Sequence, residues 1–368
     1  MNILFCGGGT FGHVAPALAA AEAIRKMHPE AQIAFVGRRD GAENESIRSH
    51  GYRLYEIPIE SLGHKSIYRS ARAMLLLLRS FSLARRVLKE SAPDLVFGTG
   101  GYVCYPVLRM AQIMGIRTLI HESNAVPGRA CRMLARSCDG VLLGVEDARE
   151  RLPKDTRCIY TGNPVREDFF RYSRQRARHA LGLRDSDRLL LSFGGSGGAG
   201  ALNAAMLSLM RKAAEGDGGI YHVHAAGKKY FEDIRKSNPA FTIGKGRLRV
   251  YPFLENMPLY MCAADLCICR SGAMTVAELT AAKLPSILIP SPNVTDDHQR
   301  KNAESLAARG GALICDEKEL SSLEEMALGL LSDRGRLSAM RQALSRCGSR
   351  DAAREIANAV VSFLPDNK

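Results

Sequence analysis

Cys269-Arg270-Ser271-Gly272-Ala273-Met274-Thr275-Val276-Ala277-Glu278-Leu279 follows a short apolar run that begins at Ala264, and it enters a helical pattern that stops before Leu284-Pro285. The stretch reads as strand, tight loop and helix. A helix N-terminus leaves backbone N–H groups without intrahelical partners and carries partial positive charge, so a loop of small residues at that point can hold an anionic group. Glu278, further along the helix, is placed to face the same crevice, where a carboxylate is suited to a pair of vicinal hydroxyls such as those of a ribose. An ordinary strand-to-helix turn with a solvated Glu278 fits the same residues, and the rest of the chain decides between the two.

A chain of 368 residues, 46% of them hydrophobic, is long enough for two domains with separate cores. No apolar run approaches the ~20 residues that span a bilayer, and Met1-Asn2-Ile3-Leu4-Phe5 lacks a basic segment ahead of its apolar residues. These features lead us to expect a cytoplasmic protein with neither signal peptide nor transmembrane helix. The 10 cysteines, among them Cys6, Cys158, Cys267, Cys269 and Cys315, show no CxxC pair and no Cys/His cluster, so they read as reduced thiols, mostly buried. A formal charge of +13 favours a polyanionic partner, either nucleic acid or an anionic membrane surface.

From the N-terminus, a strand over 2–6 leads into Gly7-Gly8-Gly9-Thr10-Phe11-Gly12-His13 and a helix expected over 14–27. Gly7, Gly9 and Gly12 satisfy GxGxxG, but the next strand, 31–36, ends in Gly37-Arg38-Arg39-Asp40 rather than in one acidic residue poised for a ribose; Asp40 and Glu43 keep a nicotinamide site open. His13, at the mouth of a helix beside a glycine loop, is well placed for proton transfer. Residues 62–90 hold a basic stripe of Lys65, Arg69, Arg72, Arg79 and Arg86, and an opposite apolar stripe of Ile67, Ala71, Met74, Leu78, Phe81 and Leu88. A solvated basic face is the plainer reading. Leu76 and Leu83 interrupt the basic stripe, however, and Leu75 and Leu77 flank the core stripe, so there is more leucine than one buried face requires. A basic face with exposed leucines suits anionic lipid headgroups.

A strand at 95–97 then opens into Gly98-Thr99-Gly100-Gly101-Tyr102, a helix is expected over 106–114, and a strand over 117–121 precedes Glu122-Ser123-Asn124-Ala125-Val126-Pro127-Gly128. This alternation implies a parallel sheet covered by helices, with ligands at the C-terminal strand ends, where His13, the second glycine loop and Asn124 all fall. After a strand at 157–160 and a basic helix over 171–183, the pattern restarts: strand 189–193, the glycine loop 194–200, and a helix over 201–214. Further strands are expected at 220–225, 248–251, 266–269, 286–289 and 312–315. The fold expected is therefore α/β, with two Rossmann-like domains whose parallel sheets face a cleft.

GGGTFGHV (7–14), GTGGYV (98–103), IHESNAVPG (120–128), GNPVR (162–166), FGGSGGAGALN (193–203), RSGAMTVAEL (270–279) and DDHQRKNA (296–303) occur in the order and spacing of a known family. The chain resembles the glycosyltransferase B superfamily (GT-B fold) and, within it, the MurG family, which transfers N-acetylglucosamine from UDP to a lipid-linked muramyl-pentapeptide. The resemblance covers almost the whole chain. It implies residues 1–163 as an acceptor-binding, membrane-associating domain, 164–345 as a UDP-sugar domain, and 346–368 as a helix crossing back to the first. The expected location is peripheral, on the cytoplasmic face of the cell membrane.

The resemblance also implies roles. Glu278 takes the ribose hydroxyls, and Arg270 and Met274 belong to the same nucleotide-binding segment. Phe253 and Leu254 match the loop that pairs with uracil, while Ser196 and Arg166 hold the diphosphate. Asn124, Ala273, His298 and Gln299 contact the sugar or its phosphates, Asn302 supports that loop, and Thr10 and Gly12 complete the donor set. Gly9, Thr10, Gly100, Gly101 and Tyr102 receive the acceptor diphosphate, and His13 is the candidate base. The membrane-associating set is Lys65, Arg69, Arg72, Leu75, Leu76, Arg79, Leu83 and Arg86. The partners implied are UDP-N-acetylglucosamine, a polyprenyl-diphosphate-linked muramyl-pentapeptide and an anionic membrane surface, with no nucleic acid. No DxD is placed to hold a metal on the diphosphate, and no cofactor is expected.

Four positions depart from the family's usual residues: Phe11 and Tyr105 replace small residues, and Ser123 and Gly197 stand where glutamine is usual. They keep open a related transferase with another lipid-linked acceptor. An epimerase of the same architecture, or a membrane-associated UDP-sugar-binding protein without turnover, are the remaining alternatives.

Overall fold

Strands that are apolar on both faces are the mark of parallel sheets sandwiched between helices, and this chain builds two of them. The computed structural model describes residues 1–9, 11–60, 67–195, 197–215, 219–242, 246–348 and 351–364, without the side chains of residues 11, 67, 69 and 295. Thr10, Lys65 and Ser196, each expected to have a role, lie outside the described residues, as do the side chains of Phe11 and Arg69. The chain divides into unit 1, Met1–Val165 with Ser349–Lys368, and unit 2, Arg166–Gly348.

The sheet of unit 1 comprises β1 (Asn2–Cys6), β2 (Gln32–Arg38), β3 (Arg53–Ile57), β4 (Leu95–Gly98), β5 (Arg117–Glu122), β6 (Gly140–Leu143) and β7 (Cys158–Tyr160). Every pairing is parallel, in the order β3-β2-β1-β4-β5-β6-β7. Unit 2 contains β8 (Arg188–Phe193), β9 (Ile220–Ala225), β10 (Leu248–Tyr251), β11 (Leu266–Cys269), β12 (Ser286–Leu288) and β13 (Ala312–Ile314), also all parallel, in the order β10-β9-β8-β11-β12-β13. In each order the chain starts mid-sheet and reverses direction once, at β1/β4 and at β8/β11. Ligands of doubly wound sheets bind at such switch points.

Two strands lie outside the sequence expectation. β3, Arg-Leu-Tyr-Glu-Ile at the sheet edge, mixes polar and apolar residues without a clear period, and β6 is a four-residue strand that starts on a glycine. The first helix spans Phe11–Met27 and so begins before Val14, which puts His13 in its first turn. The single helix expected over 171–183 is two, Asp168–Arg171 and Arg174–Ala180, because Ser173 caps the second: its hydroxyl accepts the Arg176 N–H at 3.2 Å.

The Ile67–Ser91 helix corrects the stripe assignment. Its buried face is Ala73, Ser80, Ala84, Val87 and Leu88, with Leu77 and Leu83 packed against the same core. Small residues decide this, since they let the helix approach closely enough for the Ser80 hydroxyl to donate to the Pro58 carbonyl at 2.8 Å. Leu83 is therefore core, Leu76 is half-buried, and Ala71, Met74 and Leu78 of the presumed core stripe are exposed. Leu75 is 68% exposed and Leu78 60%. Tyr105 also changes place: it is half-buried in the Cys104–Ile113 helix, with its ring edge-on to Phe81 at 5.9 Å, so it fills the core. Among the described residues no helix is long and apolar enough to cross a membrane.

The C-terminal helix, Ala352–Ser362, packs in unit 1 against Phe11–Met27, where Ile356, Ala357 and Val360 join a core with Val14, Ala21, Ile24 and Phe5. Arg117 donates to the Phe363 carbonyl at 2.7 Å, and Arg157 lies over the Phe363 ring at 4.2 Å. Ile356 is fully buried there, so Ile356→Ala is expected to cost about 2–5 kcal/mol in urea unfolding of the full chain; a loss below 0.5 kcal/mol, roughly the surface-substitution range, contradicts this packing.

Candidate functional site

In unit 2, a pocket of about 400 Å³ opens at the C-terminal strand ends, lined by residues that follow β8, β9, β11, β12 and β13. β8 and β11 are neighbours at the switch point, so the helices they lead into, Gly200–Glu215 and Ala273–Ala281, both present their N-termini to it. The loop after β8 stays close to the sheet because Gly198 has φ +72° and a Cβ there would stand 2.2 Å from the Ala226 carbonyl oxygen. Gly194, Gly195, Gly198 and Gly200, with Ala199 and Ala201, line that wall.

Arg270 is held from several directions. It donates to the carbonyls of Ile289 and Pro290 at 3.1 and 3.2 Å and pairs with Glu317, tying the ends of β11, β12 and β13 together. Its guanidinium shapes the pocket wall with charge already matched by Glu317. Ser271 donates to the Gln299 carbonyl at 2.8 Å, Asn302 donates to the Ser271 carbonyl at 3.2 Å, and the Gln299 side-chain oxygen accepts the Ser291 N–H at 2.9 Å. His298 and Gln299 open the His298–Ala308 helix, entered through Asp296 and Asp297, both at positive φ. Ala273 and Met274 form the first turn of their helix and are half-buried.

Glu278 is on that same helix, also half-buried. Burial pushes its carboxyl up to about 7, opposed by the nearby Arg166 guanidinium. Arg166 in turn lies 5.7 Å from the Phe169 ring. After β10, Leu254 is buried whereas Phe253 is 51% exposed. Gly197 is exposed, with open space where a Cβ would be.

In unit 1 the two glycine loops interlock around His13. Gly101, at φ +79°, lies so close to the Gly8 carbonyl oxygen that a Cβ would be 2.0 Å from it. The Thr99 hydroxyl donates to the His13 carbonyl at 2.6 Å, and His13 Nδ1 lies 3.2 Å from the Thr99 carbonyl. A carbonyl only accepts, so a neutral ring there carries its proton on Nδ1 and its lone pair on Nε2. Tyr102 lies against Gly9, and Gly12 is exposed in the first helical turn. Asn124 turns its amide onto Glu122: its backbone and side-chain N–H groups donate to one Glu122 oxygen at 3.0 and 3.1 Å, and Gly128 N–H donates to the other at 2.8 Å. Ser123 is buried beside His121.

Several residues that build these sites have structural roles the sequence did not indicate. Glu43, read only as a ribose ligand, accepts the Gly9 N–H at 2.7 Å. Glu122 organises the 123–128 loop, Glu317 neutralises Arg270, and Tyr230 lines the unit 2 pocket. Beneath that pocket Ser192, His222, His224 and Asn203 form a buried hydrogen-bonded chain, of which the polar His-x-His alternation inside an apolar strand was the available signal. Among the described residues no group of three or more His, Cys, Asp or Glu is gathered as a metal site.

Residues 3–143 match the Glycosyltransferase family 28 N-terminal domain, and residues 189–356 match the Glycosyltransferase family 28 C-terminal domain. The chain belongs to glycosyltransferase family 28. A relative in Alkaliphilus metalliredigens is 38% identical over 371 residues, covering 99% of this chain and 100% of that protein; one in Desulforudis audaxviator is 39% identical, covering 95% and 94%. Both carry the name UDP-N-acetylglucosamine–N-acetylmuramyl-(pentapeptide) pyrophosphoryl-undecaprenol N-acetylglucosamine transferase. Among solved structures, Acinetobacter baumannii MurG superposes with a TM-score of 0.79 at 27% identity, over 98% of this chain and 99% of that one. A putative UDP-N-acetylglucosamine 2-epimerase from Listeria monocytogenes shares the fold, with a TM-score of 0.71 at 15% identity, over 100% and 97%.

The family 28 glycine loop gives a direct check. Gly198→Ala combines a left-handed backbone with a backbone clash and should lower unfolding stability by about 1–3 kcal/mol. Gly197→Ala, with open space around it, should change stability by no more than roughly 0.5 kcal/mol. Equal effects in urea unfolding contradict the close approach at Ala226.

Proposed function

We propose that this family 28 chain is an inverting N-acetylglucosaminyltransferase of peptidoglycan synthesis. It moves N-acetylglucosamine from UDP-N-acetylglucosamine to the 4-hydroxyl of undecaprenyl-diphosphoryl-N-acetylmuramyl-pentapeptide. The observation that carries this reading is identity of 38% from end to end with a transferase of that name. The unit 2 pocket is its physical counterpart, since a glycine-rich wall and two helix N-termini suit a diphosphate; Glu278 does not line that pocket but lies further along the helix that follows β11, where a carboxylate suits a ribose.

In this reaction the acceptor oxygen forms a bond to the anomeric carbon on the face opposite UDP, the carbon–oxygen bond to UDP breaks, and an α-linked donor becomes a β(1→4) product. The hydroxyl proton passes to a base, for which His13 Nε2 is our assignment, because the Thr99 carbonyl orients the ring. Charge growing on the departing diphosphate is met by the amides of the β8 loop, by the helix N-termini and by Arg166. Phe253 and Leu254 are assigned to uracil, Met274 to the nucleotide-binding segment, Asn124, Ala273, His298 and Gln299 to the sugar and its phosphates, and Arg270 to holding the wall. Gly9, Gly100, Gly101 and Tyr102 are assigned to the acceptor diphosphate. Tyr105, half-buried against the core beside Phe81, supports the lipid-linked muramyl-pentapeptide as acceptor.

The test is UDP release from UDP-N-acetylglucosamine with and without the lipid-linked muramyl-pentapeptide, in EDTA. Release that depends on the acceptor supports the reading, and donor binding without release under either condition contradicts turnover. Glu278 adds a pH signature. Its ionised carboxylate accepts from both ribose hydroxyls, and protonation as pH falls through about 7 forfeits one of these bonds. UDP should thus bind roughly tenfold more weakly at low pH than above pH 8, and Glu278→Gln should flatten that dependence. A wild-type affinity that does not change with pH contradicts the assignment of Glu278 to the ribose.

For the membrane surface, the supporting feature is the exposed face of the Ile67–Ser91 helix, where Tyr68, Met74, Leu75 and Leu78 stand among the exposed Arg72, Arg79 and Arg86. Each arginine near anionic headgroups contributes about 1 kcal/mol. Sedimentation with anionic vesicles at low salt should fall sharply when Leu75 and Leu78 become serine; unchanged sedimentation contradicts this docking face.

A further inference from the structure

A polar chain runs through the core of unit 2, directly below the glycine loop. His222 and His224 are alternate residues of β9 and so share one face, and Ser192 lies on the neighbouring β8. The Ser192 hydroxyl is 2.7 Å from His222 Nε2 and 2.8 Å from His224 Nδ1. His224 Nε2 is 3.1 Å from the Asn203 side-chain oxygen, and the Asn203 amide donates to the Ala226 carbonyl at 3.0 Å. Each of the four side chains is at least nine-tenths buried.

Donor chemistry assigns every proton in this chain. The Asn203 oxygen accepts, so His224 carries its proton on Nε2 and presents a lone pair at Nδ1. The Ser192 hydroxyl donates there and accepts from His222 Nε2–H. That leaves His222 Nδ1 as a lone pair, and Nδ1 is the one atom of the chain for which the structure gives no hydrogen-bond partner. The hydrogen bonds require a neutral His224, and a neutral His222 is what leaves its Nδ1 a lone pair. Burial enforces this, holding His224 down at about 4 and His222 well below its ordinary value. A fully directional chain therefore ends on the same carbonyl against which Gly198 rests.

Given the transferase reading above, on which this step rests, we infer that Ser192 and His222, acting through His224 and Asn203, are positioning residues for the donor diphosphate. They fix the Ala226 carbonyl and, at Asn203, the first turn of the Gly200–Glu215 helix, and so set where the loop amides point. They touch no substrate. Their effect falls first on the phosphates, because the chain ends at the Ala226 carbonyl under the glycine loop; the uracil-assigned Phe253 and Leu254 are reached only through the separate Ala226 N–H bond to the Tyr251 carbonyl at 2.9 Å.

Affinities for UDP and for uridine, measured by titration calorimetry on the full chain, separate this role from general support of the fold. Ser192→Ala breaks the chain at its middle and should weaken UDP roughly tenfold while leaving uridine within about twofold. Ser192→Thr keeps a hydroxyl and should restore UDP affinity. Equal loss of UDP and uridine, or no loss of either, overturns the inference. If Ser192→Ala shows no cooperative thermal unfolding, Asn203→Ala, which cuts the last link to Ala226, decides by the same ratio. A wild-type chain that binds UDP no better than uridine overturns the transferase reading itself, and a wild-type preference that survives in the variants overturns only the positioning role.

Discussion

Gly198 presses its backbone against the carbonyl of Ala226, and the shape of the unit 2 pocket depends on that approach. With no side chain on Gly198 between them, the loop after β8 stays low over the sheet and its glycines line the pocket. The strand order then adds a second helix N-terminus, because β11 is the neighbour of β8 across the switch point. Arg270 closes the opposite wall by drawing the ends of β11, β12 and β13 together through two carbonyls and Glu317. On the function proposed above, anion recognition falls mainly to backbone, and Arg270, the ionisable side chain that closes the wall, is engaged in holding that backbone in place.

Unit 1 uses the same device for a different end. The loops after β1 and β4 interlock at Gly8 and Gly101, and their closeness orients an imidazole rather than a row of amides: His13 is bonded at both its backbone and its ring to Thr99. Carboxylates stabilise this unit's loops from below, Glu43 at Gly9 and Glu122 at Asn124 and Gly128. Both units therefore rest on buried polar contacts to backbone, whose partners are costly to remove.

The fold was legible because its signals are local and repeated. The run Leu266–Cys269, the small residues after it and the helix that follows announce one strand–loop–helix unit, and the restart at Leu189 announces a second sheet. The buried face of the Ile67–Ser91 helix was not legible. Several apolar stripes share that helix, and the choice between them was made by Ala73, Ser80 and Ala84, whose small size matters only against a particular neighbour. The same holds for Tyr105, whose bulk suggested a changed loop until Phe81 supplied its partner. At the candidate site, residue types and order could be read, including Glu278 and His13. Which of them are engaged with other protein groups could not, because Arg270 and Glu317 are 47 residues apart, and Ser192 and His222 are 30 apart.

Amide hydrogen exchange of the full chain with and without UDP tests most directly whether the loops of unit 2 hold the nucleotide. The account predicts that UDP slows exchange in segments 194–201 and 270–279, with little change in segments 7–12 and 98–102. Protection confined to the unit 1 glycine loops, or none in unit 2, would contradict it.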